Sequence, residues 1–333
     1  MTGGGELRVE NSTCRGVAFI SFRNDYGSRW DGEISVKNCT YYPGNTTNPS
    51  FLRYGNRNLD FRYVIGYGRR ITLENVEIDY EGRTDSDSPF WLLNFAAIKS
   101  YQHSGKLFFP EEVVLKNISL KGRTRGLRIM KIPAPDSYVL PTDFFYDGSF
   151  LAPNARITIE NIQPLETSNA EAAPHFSFER SQISLPSNSL VPQIRIKDCT
   201  DIRVAIGGNC SELLFENTTI QHLDLGADSP FKGGVQFSNC KFRPDHSTPN
   251  GLKLDTVLGT TFINCLLFLP PIGKTETASR LDYYGFMEIN RMLKFNHQGT
   301  RLGKDILVYL KGKGITLEHE FITKLKTHHE LED

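Results

Sequence analysis

The chain has 333 residues, with 38 basic and 38 acidic side chains and a formal net charge of zero. That balance excludes a general nucleic-acid binder, which needs a basic excess to displace counterions. A composition of 39% hydrophobic and 11% aromatic residues excludes a disordered chain. No run of 18 apolar residues occurs, so no transmembrane helix is expected. Met1–Glu6 has neither the basic start nor the apolar stretch of a secretory signal, so none is expected. Length alone suggests about two domains, although all-β repeat folds of this size run as one body.

Read in chain order, one five-residue phrase recurs: apolar, any, apolar, any, Asn. It spans Leu7–Asn11, Ile34–Asn38, Ile71–Asn75, Val113–Asn117 and Ile157–Asn161. It continues as Ile194–Asp198, Leu213–Asn217, Val235–Asn239 and a degenerate Thr260–Asn264. Period-two alternation and β-branched residues predict a short strand for each copy. Such strands bury a face only by stacking on one another. The closing Asn suits a turn, because Asn tolerates left-handed backbone angles and its amide can bond to the same amide in the next copy. Second strands are expected after several phrases, as at Val76–Ile78 and Ile118–Leu120.

Successive closing residues lie 27, 37, 42, 44, 37, 19, 22 and 25 positions apart. The short intervals fit one bare turn of a solenoid and the long ones a turn with insertions. Over roughly residues 6–269 the chain resembles the right-handed parallel β-helix of the pectin-lyase-like superfamily. The expected architecture is an all-β right-handed parallel β-helix of about nine or more coils, with a small C-terminal α+β cap. Residues 1–271 would form the helix, with long loop insertions at 40–192, and residues 272–333 a C-terminal cap or docking segment. The superfamily includes polysaccharide lyases, glycoside hydrolases, epimerases and phage tailspikes, so the resemblance implies a fold more firmly than an activity.

Two ladders support the register. The residue before each closing position runs Glu10, Lys37, Glu74, Lys116, Glu160, Lys197, Glu216, alternating in sign. Cys39, Cys199, Cys240 and Cys265 directly follow the closing residue, and Cys210 follows Asn209. A repeated place argues for stacked, buried thiols over disulfides. No Cys/His spacing suits zinc, so neither metal nor cofactor is expected. Of the glycosylation sequons at Asn11, Asn38, Asn45, Asn117, Asn209 and Asn217, four are ladder positions, where a structural role is expected.

At the C-terminal end the phrase stops after Pro270–Pro271. Ile306–Leu310 reads as a strand, and Leu317–Leu331 as a helix with Leu317, Phe321, Ile322 and Leu325 on one face. Almost nothing precedes Leu7, so a missing segment, a partner or a neighbouring subunit is expected to cover that end.

The insertions between residues 40 and 192 should build a groove if they fall on one side of consecutive turns. Aromatic faces suit sugar rings and Arg forks suit carboxylates. The candidate substrate-binding residues are Tyr54, Arg57, Tyr80, Trp91, Arg128 and Tyr138. A hydrolase needs two carboxylates across the scissile bond, and Asp79, Glu81, Asp85 and Asp87 form the densest acidic group. A uronate lyase needs a cation at the sugar carboxylate and a base. Arg123, Arg125 or Arg128 would serve as the cation, and Tyr101 or His103 as the base. Of the short polygalacturonase-like motifs only Arg195-Ile196-Lys197 occurs, inside a phrase, and Pro244-Asp245-His246 inverts the Asp-Pro-His of mannuronan epimerases. Polysaccharide is therefore the expected partner. The competing expectation is a structural or receptor-binding module, with a homotrimer as its assembly. The resemblance favours an extracellular, cell-surface or virion setting.

Overall fold

The computed structural model describes residues 5–23, 29–30, 32–44, 49–55, 65–79, 90–94, 107–108, 110–121, 127–131, 155–165, 175–179, 193–200, 202–206, 212–224, 235–242, 252–253, 260–267, 296–298 and 301–302. These residues are all-β, without a helix, and every strand pairing among them is parallel. The first sheet has eleven strands. Its path runs Glu6–Glu10, Glu33–Pro43, Arg70–Asp79, Glu112–Lys121, Arg156–Leu165, Gln193–Lys197, Glu212–Glu216, Val235–Ser238, Thr260–Ile263, Asn296–Gln298. Thr13–Gly16 pairs beside it on Glu33–Pro43.

The second sheet, also of eleven strands, takes Ala18–Arg23, Ser50–Gly55, Phe90–Asn94, Leu127–Lys131, His175–Glu179, Ile202–Ile206, Thr219–Asp224, Lys241–Phe242, Leu266–Leu267 and Arg301–Leu302 in that order. Leu252–Lys253 pairs off this path. A third, small sheet joins Arg29–Trp30, Ile65–Tyr67 and Leu107–Phe108. The chain returns to each sheet in turn and adds each new strand beside the last. Parallel neighbours reached by long crossovers in constant order are compatible with a parallel β-helix.

Alternation explains the core. In Glu33–Pro43 and its neighbours alternate residues are buried, and the buried set shifts by one position at the closing Asn, as from Ile34 and Val36 to Cys39 and Tyr41. Val36, Leu73, Leu115, Ile159, Ile196 and Phe215 occupy one continuous inward column, each 0% exposed. Burying each such side chain stabilises the stack by about 1.5–3 kcal/mol. The column ends in a ring stack, Phe215 on Phe237 at 4.8 Å and Phe237 on Phe262 at 5.0 Å.

All nine closing residues adopt left-handed angles, with φ between 48° and 54°. Six of the Asn side chains donate to the closing residue before them. Asn38 Nδ2 reaches Asn11 Oδ1 at 3.3 Å, Asn75 reaches Asn38 at 2.9 Å, and Asn117 reaches Asn75 at 2.8 Å. Asn161 donates to Asn117 at 2.8 Å, Asn217 to Asp198 at 3.0 Å, and Asn239 to Asn217 at 3.2 Å. In Arg70–Asp79 and Glu112–Lys121 the strand continues through this residue, so Val76–Ile78 and Ile118–Leu120 extend the same strand instead of starting another. A single left-handed residue bends a strand without ending its pairing.

The cysteine ladder has a hydrogen-bonding reason as well as a packing one. The five described cysteines other than Cys210 are free thiols. The thiol after the closing residue donates to the carbonyl two residues back: Cys39 to Lys37 at 3.1 Å, Cys199 to Lys197 at 3.3 Å, Cys265 to Ile263 at 3.4 Å. Thr218 fills the same place with Oγ1 donating to Glu216 at 2.8 Å. A small side chain with one donor suits that corner.

Parallel pairing also runs past Pro270–Pro271, where the phrase ends: Phe262 aligns with His297 and Leu267 with Leu302. The strand expected at Ile306–Leu310 and the helix at Leu317–Leu331 lie outside the described residues.

Candidate functional site

The second and third segments of the inserted region leave and enter the sheets at matched places. Asp79 closes Arg70–Asp79 and aligns with Lys121, which aligns in turn with Leu165. On the far side Phe90 aligns with Leu127, and Trp91 with Arg128. Segments 80–89 and 122–126 therefore depart from adjacent strands and arrive on adjacent strands. The first begins with Asp79 and carries Tyr80, Glu81, Asp85 and Asp87. The second begins with Lys121 and carries Arg123 and Arg125 before Arg128.

The acidic group and the arginines thus belong to two connections that run from the first sheet to the second. Tyr101 and His103 lie elsewhere, on the connection that returns from Phe90–Asn94 to Leu107–Phe108. Arg57 and Tyr138 also belong to return connections. Arg57, Tyr80, Glu81, Tyr101, His103, Arg123, Arg125 and Tyr138 lie outside the described residues. Tyr54 and Arg128 are placed as strand residues, opposite Phe22 and Trp91 respectively.

Asp79 is 5% exposed, and its Oδ2 lies 3.4 Å from Lys121 Nζ. A buried carboxylate needs such a cation, and removing the partner would leave a costly charge behind. The pair sits where the first of these segments leaves the sheet. Trp91 is 3% exposed and lies in the second sheet with Phe90, Leu92 and Leu93, all buried. The ring of Trp91, a candidate substrate-binding residue, is thus packed against protein. Strand geometry puts Phe90 and Leu92 on one face and Trp91 and Leu93 on the other, and all four are buried, so both faces of this strand are covered.

The outer face of the first sheet carries the expected charge ladder. Lys37 pairs with Glu74 at 3.0 Å, Lys116 with Glu160 at 3.3 Å and Lys197 with Glu160 at 3.5 Å. A second ladder, four residues before, escaped the sequence reading: Glu33, Arg70, Glu112 and Arg156 align. Arg70 bridges to Glu33 at 3.2 Å and to Glu112 at 2.6 Å. The same sign alternation that revealed the first ladder marks the second. All these side chains are partly exposed, so each pair contributes roughly 0–1 kcal/mol and serves register more than stability.

The thiolate is disfavoured at two of the described cysteines, Cys199 and Cys240. Burial pushes the Cys199 thiol up to about 12, far from the range of a thiolate nucleophile. The hydrogen bond to Cys265, with burial, pushes Cys240 up as well. Among the described residues no three His, Cys, Asp or Glu side chains gather as metal ligands, and no helix is long and apolar enough to cross a membrane. No family profile matches the chain, and neither does any curated protein or solved structure.

Proposed function

We propose that the chain is a right-handed parallel β-helix of the pectin-lyase-like kind, with about nine or more coils and a C-terminal cap. Its insertions between residues 40 and 192 recognise polysaccharide, and any cleavage is of lyase or glycoside hydrolase type. One observation carries this reading: segments 80–89 and 122–126 leave and rejoin the sheets at register-matched residues. The first of these segments is rich in acidic residues and the second in arginines. Arginine forks suit sugar carboxylates, and paired carboxylates suit acid–base chemistry on a glycosidic bond.

A second reading, a structural or receptor-binding module without chemistry, is supported by the ion pair of Asp79 with Lys121 and the burial of Trp91. Incubation with a panel of acidic and neutral polysaccharides separates the two. Binding with new chain ends supports an enzyme, and an unsaturated end assigns it as a lyase. Binding without new ends keeps recognition alone. Failure of every glycan to bind sinks the polysaccharide reading.

A further inference from the structure

The corner that follows each closing residue changes its neighbours along the chain. Cys39 aligns with Val76. Cys199 lies beside Thr218, whose Oγ1 is 3.4 Å from the Cys199 amide nitrogen. Among the described residues, only the repeats at 235–242 and 260–267 set one thiol against another. Ser238 aligns with Ile263 and Lys241 with Leu266, so Cys240 and Cys265 stand opposite each other. The Leu266 amide donates to the Cys240 carbonyl at 2.9 Å and holds that corner in register. Parallel neighbours have Cα atoms about 4.8 Å apart, within the span of about 4.4–6.8 Å that a disulfide bridges. Both side chains are buried, and the two sulfurs share a hydrogen bond.

The two sulfurs are not equivalent. The hydrogen bond that Cys240 gives holds its own proton in place and keeps the Cys265 thiol below its ordinary value. Since the thiolate is the attacking form, Cys265 is the nucleophile of the pair and Cys240 the thiol that follows. We propose that Cys240 and Cys265 form a redox-active dithiol, which hydrogen peroxide converts to a disulfide joining two successive repeats. The Cys265 sulfur attacks one peroxide oxygen and the O–O bond breaks. Cys265 becomes a sulfenic acid, and the leaving hydroxide takes the proton Cys265 gave up and departs as water. The Cys240 sulfur then attacks that sulfur, the S–O bond breaks, and the hydroxide leaves with the Cys240 proton as a second water. Two thiols lose two electrons and two protons, and one peroxide becomes two waters. Because both thiols are buried, the oxidant must be about the size of water, which a peroxide is and a peptide disulfide is not.

The test treats the reduced full chain with hydrogen peroxide, blocks remaining thiols and maps peptides without reductant. A Cys240–Cys265 linked pair that reductant abolishes is the expected product. Cys39 and Cys199 should stay reduced, because they occupy the same buried corner without a neighbouring thiol. In Cys240→Ser the reaction should stop at the Cys265 sulfenic acid, which a dimedone probe labels. In Cys265→Ser the label on Cys240 should be lost. Thr218 already fills this corner with a hydroxyl, so both serine variants should fold. Cys240 and Cys265 left reduced, or oxidised no faster than Cys39 and Cys199, would overturn the inference. So would equal labelling of the remaining thiol in the two serine variants, which would remove Cys265 as the nucleophile.

Discussion

The two long sheets reach order by different means. In the first, position is fixed by polar ladders as well as by packing. Asn amides bond at left-handed corners, two charge ladders alternate along the outer face, and branched residues fill the inner column. The second sheet has shorter strands, and Phe90–Leu93 bury four residues in succession. Its pairing slips between Ile202 and Arg203. Apolar contact is non-directional and tolerates a slip. Amides and charges do not, because a shift by one residue leaves each without its partner. Directional groups therefore set register in the first sheet, and the second is carried along by its connections.

The largest expected effect comes from breaking the inner column. Ile159→Asp should destabilise the fold by about 4 kcal/mol or more, because it buries a charge without a partner. Denaturant unfolding reads this, and an unchanged midpoint would mean that Ile159 does not face the core. In the second sheet Trp91→Ala should cost about 3–5 kcal/mol, as expected for a large buried side chain. A variant as stable as the parent would place the ring at the surface after all.

Asn117→Ala should cost about 2 kcal/mol, since it loses an amide that both donates and accepts and strains a left-handed residue. Asn117→Gly relieves the backbone and keeps only the loss of the ladder, so it should lie between. Equal effects of the two would remove the left-handed backbone from the explanation.

The smallest effect is a pH dependence at the cysteine corner. The Cys199 thiol is raised from 9.0 to about 12 by burial. The folded state therefore holds its proton where the unfolded chain releases it. The stability this contributes is complete below pH 9.0 and lost as pH rises toward about 12. At about pH 10 the loss should be roughly 1 kcal/mol. Cys199→Ala should flatten that slope, and a slope unchanged by the substitution would assign it to other groups.

The contrast between sheets also explains what could be read in advance. The first sheet was legible because Asn and the alternating Glu/Lys recur at fixed offsets from the apolar pair. Both mark a backbone angle or a neighbour that each repeat must supply. The second ladder, Glu33–Arg70–Glu112–Arg156, was present in the same alignment and was missed because only the residue before the Asn was compared. The second sheet has no such marker, and a run such as Phe90–Leu93 carries no period to detect. The site was less legible still. Trp91 counts among the groove aromatics because it sits in an insertion-rich region, although its apolar neighbours on both sides signal burial. Asp79 was grouped with Glu81 by proximity in sequence, while the fold pairs it with Lys121, 42 residues later.

The central claim is the parallel register of the first sheet, and paired cysteines test it most directly. Thr72 and Val114 are aligned neighbours, both half-buried on the outer face. In the double variant Thr72→Cys, Val114→Cys they should oxidise to a disulfide, identified by peptide mapping so that the native buried thiols do not confuse it. Thr72→Cys with Lys116→Cys moves the second thiol two residues along the strand, to a Cα separation of about 8 Å, outside disulfide reach. A bond in the aligned pair and none in the offset pair is the predicted result. A bond in the offset pair, or none in the aligned pair, would contradict the register from which the rest of the account is built.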